Sequence, residues 1–342
     1  MERLKKVNYS VLDLAYVREG ETLNQTFKNT LESAKFVDEL NYTRYWLSEH
    51  HNMQNVASAA TSLLIGYVAG GTKRINVGSG GIMLPNHTAL SVAEQFGTLE
   101  ALYPNRIDLG LGRAPGTDQL TASILRRGES FMNYDFEAEI KNLQTYFSLE
   151  NKDSNVRAIP GEGANVPIYV LGSSTDSAFL AAKLGLPYAF AGHFAPQQFH
   201  NAVEIYRSQF QPSEFLEKPY TIACVNIIAA DTDEQAHYLS MSMYQGFLNV
   251  ITDKRQPIVA PENTNLELAS PEQKYMLKGM TALSFIGCKN TLTQSFDEFI
   301  FQSNVDEVMA SSNIFDQKAK RRNYKIISEI FAIMGKDERE ST

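Results

Sequence analysis

Glu49, His50 and His51 follow directly on the apolar run Tyr42-Thr43-Arg44-Tyr45-Trp46-Leu47-Ser48, so a carboxylate and two imidazoles arrive where an extended segment ends. An imidazole titrates near neutrality and can give or take a proton, and a neighbouring carboxylate can hold one tautomer. Successive strand side chains point to opposite faces, so His50 and His51 could enter the same space only if the strand had already ended. That geometry weakens a metal reading. No His-x-His occurs, and His87, His193, His200 and His237 are scattered singly.

Two further segments run from apolar residues into glycines and polar groups. In Ile75-Asn76-Val77-Gly78-Ser79-Gly80-Gly81-Ile82-Met83-Leu84-Pro85 the glycines interrupt a strand, marking a bulge or a place where a ligand presses on the backbone. Arg106-Ile107-Asp108-Leu109-Gly110-Leu111-Gly112-Arg113-Ala114-Pro115 begins like a dinucleotide fingerprint, but Pro115 stands where the third glycine belongs. It reads either as a tight turn with a surface arginine, or as a glycine that admits a flat ligand beside an arginine that meets an anion. Leu171-Gly172-Ser173-Ser174-Thr175-Asp176-Ser177 is a strand end followed by a helix start. Its hydroxyls suit simple capping, and the same helix start offers backbone N–H groups to phosphate. No Gly-x-Ser-x-Gly elbow supports a serine hydrolase.

Strand-like and helix-like segments alternate from end to end and position these residues. Strands are expected at residues 7–12, 42–47, 75–80, 106–111, 167–171, 187–191, 220–229 and 305–311. Helices are expected around Phe27, Leu31, Ala34 and Val37, and at 57–70, 88–103, 136–147, 175–184, 197–210, 233–250 and 317–334. About eight strand–helix units without a dividing linker predict one (β/α)8 TIM barrel spanning 1–342. A doubly wound open sheet would have similar strands, but the count and the missing nucleotide fingerprint favour the barrel. The surplus length is placed between the seventh and eighth strands, where residues 252–271 carry Pro257, Pro261 and Pro271 and predict a mobile lid.

Composition narrows the function classes. With 31 Lys plus Arg against 39 Asp plus Glu, a formal net charge of -8 would repel nucleic acid, and Lys318, Lys320, Arg321 and Arg322 read as a solvated helix face. Cys224 and Cys288 are the two cysteines, too few for a disulfide framework or a Cys-rich zinc site. No apolar stretch approaches a membrane span, and the N-terminus lacks an apolar signal region. A cytoplasmic enzyme is expected, with no membrane partner.

Tyr45-Trp46-Leu47-Ser48-Glu49-His50-His51, Val77-Gly78-Ser79-Gly80-Gly81-Ile82-Met83-Leu84-Pro85 and Gly110-Leu111-Gly112-Arg113-Ala114-Pro115-Gly116-Thr117-Asp118 resemble, in order and spacing, successive blocks of the bacterial luciferase-like, flavin-dependent monooxygenase family. The resemblance implies a TIM barrel with FMN at the C-terminal ends of its strands. It implies His50 as the acid/base beside the flavin, Gly80 and Gly81 as the bulge under the ring, where the family often has a non-proline cis peptide, and Arg113 with Gly172, Ser173 and Ser174 at the phosphate. It implies that a separate reductase supplies reduced FMN, which with O2 forms a C4a-hydroperoxide that oxygenates a small organic substrate, the protein excluding water from the ring. A homodimer built on first-half helices is also implied; that no metal is expected rests on the histidine spacing. Gly112 replaces the cysteine found before this arginine in light-emitting members, which argues against light emission. The alternatives are a deazaflavin-dependent hydride-transfer enzyme on the same fold, a flavin-binding protein without turnover, and a metal hydrolase.

Overall fold

The structure, a computed structural model, describes residues 7–126 and 134–334. Its strands are β1 (Asn8–Asp13), β2 (Arg44–Leu47), β3 (Asn76–Met83), β4 (Ile107–Gly112), β5 (Ile168–Gly172), β6 (Tyr188–Phe190), β7 (Thr221–Ala230), β8 (Ser284–Cys288) and β9 (Glu307–Ser311). Consecutive strands from β1 to β7 pair in parallel, β7 pairs with β9, and β9 returns to β1. A closed eight-stranded parallel barrel results.

Strand alternation decides what faces inward. In β2, Arg44 and Trp46 both hydrogen-bond Asp108 within the barrel, while Tyr45 and Leu47 join the apolar layer beneath the helices. Above this level the interior is apolar, with Leu12, Trp46, Ile222, Cys224 and Met309 packed together and Trp46 set edge-on to Tyr169 at 5.0 Å.

The N-terminal end of the barrel is closed by a polar floor. Arg44 donates from Nε to Glu307 at 2.9 Å and from Nη1 to Asp108 and to the Tyr169 hydroxyl, each at 2.7 Å. Tyr220 donates to Glu307 at 2.7 Å, Trp46 to Asp108 at 2.9 Å, and Ser10 also to Glu307. Burial works against the guanidinium charge, but Asp108 and Glu307 beside it hold its pKa well above the ordinary value.

The helices are α1 (Leu23–Glu39), α2 (Thr61–Gly71), α3 (Ala89–Leu102), α4 (Gln119–Leu125), α5 (Phe136–Phe147), α6 (Thr175–Leu184), α7 (Phe199–Gln209), α8 (Asp233–Ile251), α9 (Pro271–Met280), α10 (Lys289–Ser303) and α11 (Gln317–Met334). α5, α6 and α11 have the expected bounds. The helix expected at 57–70 starts only at Thr61, because the Ala57 N–H is committed to the Ala15 carbonyl at 3.0 Å and Val56 bridges Tyr16. Three helices and a strand were not anticipated: α4, α9, α10 and β8. β8 is half-buried for most of its length and, among the described strands, pairs with Asn226–Ala230 of β7 alone, outside the closed barrel. Between α8 and α9 the backbone makes two 3-10 turns, Pro261–Asn263 and Leu266–Leu268, and Ile258 bridges to Arg18. Much of the surplus between the seventh and last barrel strands is therefore regular structure, and only part of it corresponds to the expected lid segment at 252–271.

Candidate active site at the C-terminal mouth of the barrel

His50 and His51 leave β2 in different directions. His50 is half-buried, with Nδ1 3.3 Å from the Gly116 carbonyl. A carbonyl only accepts, so Nδ1 carries the proton and Nε2 keeps its lone pair. Burial lowers the His50 pKa, and the Gly116 carbonyl and Glu49 offset this only in part. Glu49 does not orient His50, contrary to the expectation of a carboxylate-held tautomer. Its carboxylate is 1% exposed and accepts from His51 Nε2 at 2.8 Å, His87 Nε2 at 2.9 Å, the Met83 N–H at 3.0 Å and Asn86 at 3.2 Å. The Nε2 atoms of His51 and His87 are thus spent on Glu49. Among the described residues no group of three or more His, Cys, Asp or Glu is arranged to hold a metal ion.

These bonds make Glu49 an anchor between the β2 and β3 ends. Burial alone would raise its pKa, but the bonds from His51, His87 and Met83 hold it at about 2, against an ordinary 4.5. A depressed carboxylate contributes stability that is complete above its unfolded pKa and is lost as pH falls through the folded value. Wild type should therefore lose stability from about pH 4.5 down to about 2, and Glu49→Gln should be less stable at pH 7 and lack that part of the acid slope. Urea midpoints of both proteins across this range decide it; parallel curves would remove Glu49 from its role as anchor.

The β3 glycines sit under the mouth. The Gly80–Gly81 peptide is cis, as the resemblance implied, and the β3–β4 register shifts between Gly80 and Ile82. A Cβ on Gly81 would lie 2.7 Å from the Gly110 carbonyl oxygen, so no larger residue fits without moving backbone. The Gly80–Gly81 segment thus carries no side chain and packs closely against Trp46 and Leu12, which a Cβ on Gly80 would meet at 3.1 and 2.7 Å.

Arg113 follows β4 and is exposed, with no ion pair among the described residues. It lines a cleft of about 460 Å³ with Tyr134, Leu171, Asp176, Ser177 and Leu180. Asp135 and Glu137 also line it, but Asp135 caps α5 and Glu137 is paired with Lys141 at 2.7 Å and Lys183 at 2.8 Å. Ser174 occupies the N-cap position of α6 without a side-chain capping bond, and Gln198 instead accepts from the Thr175 N–H at 3.0 Å. Simple capping by Ser174 is therefore not what this loop does. Gly172 is pressed against Ser177, whose hydroxyl a Cβ would meet at 2.0 Å, while Ser173 is exposed beside the helix start.

The fold thus brings His50, Gly80, Gly81, Arg113, Gly172, Ser173 and Ser174 to the C-terminal ends of β2, β3, β4 and β5, the end at which TIM-barrel sites are built. Sequence reasoning passed over His87, Asn86 and Gly116, which fix Glu49 and His50, and His193, which follows β6. Only Gly116, as turn punctuation, carried a signal.

The family profile described as luciferase-like monooxygenase matches residues 7–286. The YvbT protein of Bacillus subtilis is 47% identical over 323 residues, covering 94% of this chain and 96% of that one. A luciferase-like monooxygenase of Escherichia coli K12 is 43% identical over 326 residues, covering 95% and 97%. The crystal structure of apo-MsnO8 superposes with a TM-score of 0.88 at 29% identity, covering 95% and 98% of the two chains. More distant structures share the fold alone. They include the oxygenating constituent of 3,6-diketocamphane monooxygenase from Pseudomonas putida in complex with FMN, with TM-score 0.70, 17% identity and coverage of 96% and 98%. An F420-dependent secondary alcohol dehydrogenase has TM-score 0.63, 14% identity and coverage of 96% and 99%. The extent of these matches, spanning the barrel and every block around its mouth, places the chain in the luciferase-like monooxygenase family.

Proposed function

We propose that the protein is an FMN-dependent monooxygenase that takes reduced FMN from a separate reductase and uses O2 to oxygenate a small organic substrate. The observations that carry this reading are the Gly80–Gly81 pair at the mouth, packed too closely for any side chain, and Arg113, which lines a cleft and has no ion-pair partner among the described residues. A flat ring over the glycine pair and an anionic tail toward Arg113 fit that layout. Bound in reduced form, FMN supplies the electrons that activate O2. Arg113, with the Gly172–Ser174 loop at the α6 start, holds the phosphate, and Gly80 and Gly81 support the ring. His50, neutral at pH 7 with its Nε2 lone pair free, accepts or returns a proton at the reacting edge. Residues 252–271 act as a cover that keeps water out; Arg255 already reaches the Asn52 carbonyl at 2.8 Å and Asp118 at 3.1 Å, on the loops after β2 and β4.

Arg113→Ala should weaken FMN binding by about 1.5–3 kcal/mol, the range for a hydrogen bond to a charged group, and leave riboflavin binding unchanged. Quenching of flavin fluorescence measures both. Riboflavin binding as tightly as FMN to wild type would sink the assignment of Arg113 to phosphate. The shared fold of the F420-dependent dehydrogenase favours one rival, hydride transfer with a deazaflavin. Oxygen consumption with reduced FMN and a substrate panel, run beside the same panel with a reduced deazaflavin, separates the two readings and also exposes a binding protein without turnover.

The same reading includes a homodimer. Leu63 on α2 is 75% exposed and Tyr67 on the same helix 45%, with Leu102 of α3 62% exposed. Apolar side chains this open on adjacent first-half helices are what a partner copy would cover. Sedimentation at micromolar concentration should give a dimer; a monomer there removes the claim.

A further inference from the structure

His193, on the loop after β6, has a fixed main chain and an uncommitted ring. Its N–H donates to the Cys224 carbonyl at 2.7 Å, and its own carbonyl accepts from Asn226 at 2.8 Å. Both partners belong to β7, so the residue is clamped against the barrel wall from two sides. The imidazole makes no hydrogen bond among the described residues, and its Nδ1 is sealed from solvent without a partner. Leaving a buried ring nitrogen unpaired costs about 1–3 kcal/mol. In a neutral imidazole one nitrogen carries the proton and the other a lone pair, so a proton on the sealed Nδ1 would strand an N–H. The tautomer that strands no N–H has its proton on Nε2, the ring nitrogen that is not sealed. Burial pushes the His193 pKa down to about 4, helped by the His50 imidazole, so the ring is neutral at pH 7. His50 follows β2 and His193 follows β6, four strands apart in the eight-stranded barrel and so on opposite sides of its mouth.

We propose that His193 is a ligand-recognition residue whose neutral Nε2–H donates to an acceptor oxygen of a molecule bound in the mouth, opposite the lone pair that His50 presents. The proposal rests on the reading of the mouth as a flavin and substrate site. It adds a second imidazole of opposite polarity: Gly116 fixes His50 as an acceptor at Nε2, and the absence of a partner at Nδ1 makes His193 a donor there. The matching ligand chemistry is a carbonyl-type oxygen on an otherwise apolar body, since the wall beneath is Leu12, Trp46, Ile222 and Met309. That oxygen belongs either to the flavin ring or to the organic substrate.

Long-range 1H–15N spectra of the ligand-free protein at pH 7 test the tautomers without any flavin. His50 should appear as the Nδ1–H form and His193 as the Nε2–H form, both neutral; a charged ring or an Nδ1–H form at His193 overturns the proposal. FMN is then added. If the ring carbonyl is the acceptor, the His193 Nε2–H signal moves downfield, and His193→Leu weakens FMN binding roughly 3- to 10-fold while His193→Gln, which keeps a donor, recovers most of it. If FMN binds without moving the signal, a ten-carbon aldehyde added to the complex should move it. No response to either probe overturns the proposal, and so does equal FMN and aldehyde binding by wild type, His193→Leu and His193→Gln. Failure of FMN to bind wild type would strike the flavin reading instead, while the tautomer measurement still decides the donor assignment.

Discussion

Replacing Arg44 with methionine is expected to lower the unfolding free energy by about 3–5 kcal/mol, the cost of stranding a buried charge without its partner. The Arg44 side chain is 7% exposed and lies 2.7 Å from Asp108 and 2.9 Å from Glu307, both 0% exposed. Without the guanidinium, two carboxylates remain in the barrel floor. Trp46 and Tyr220 still donate to them, but neutral donors compensate charge only in part. The combined variant Arg44→Met, Asp108→Asn, Glu307→Gln should recover much of the loss, since it removes the charges together. Urea unfolding followed by circular dichroism reads both proteins. Should Arg44→Met fail to fold, Arg44→Lys gives a smaller loss, because an ammonium keeps the charge but cannot span both carboxylates. A loss below about 1 kcal/mol for Arg44→Met would mean that protonation or water relieves the carboxylates and that the floor is not a coupled network.

His50→Ala is expected to leave the fold and FMN affinity nearly intact and to lower substrate oxygenation by about 10² or more, the scale of a positioned acid/base group. Reduced flavin would still be consumed, with more of its reducing power ending as hydrogen peroxide. The ratio of oxygenated product to peroxide in wild type and mutant is the measurement, and an unchanged ratio at unchanged turnover would make His50 structural. The pH dependence adds a second check. Burial lowers the His50 pKa from its ordinary 6.5, so the neutral base persists below that pH and the acid limb of wild-type activity should lie under 6.5. A limb at or above 6.5 would assign the titration to another group.

Two residues show how far the motif reading reached. Gly80 and Gly81 were legible because paired glycines inside an apolar strand have few other uses, and the register shift and cis peptide lie at that point. Arg113 was legible as an arginine just beyond a strand, and it stands open in a cleft. Glu49 was misplaced: adjacency in sequence suggested a partner for His50, whereas beyond the end of β2 its carboxylate turns toward His51 and His87. Its binding to His87 spans 38 positions and could not be seen from spacing.

What the sequence by itself determined is the alternation of elements, hence the parallel barrel, and the residue types at the strand ends. Local periodicity carries this information because a strand shows a period of two and an amphipathic helix one of 3.6. What only the tertiary structure decided is which polar groups meet. Arg44, Asp108, Tyr169 and Glu307 come from four strands and close one floor, β8 attaches to the far half of β7, and His193 faces His50 across the barrel order, after β6 and β2. Barrel closure sets these contacts by strand register and stagger, a global property that no short window of residues contains.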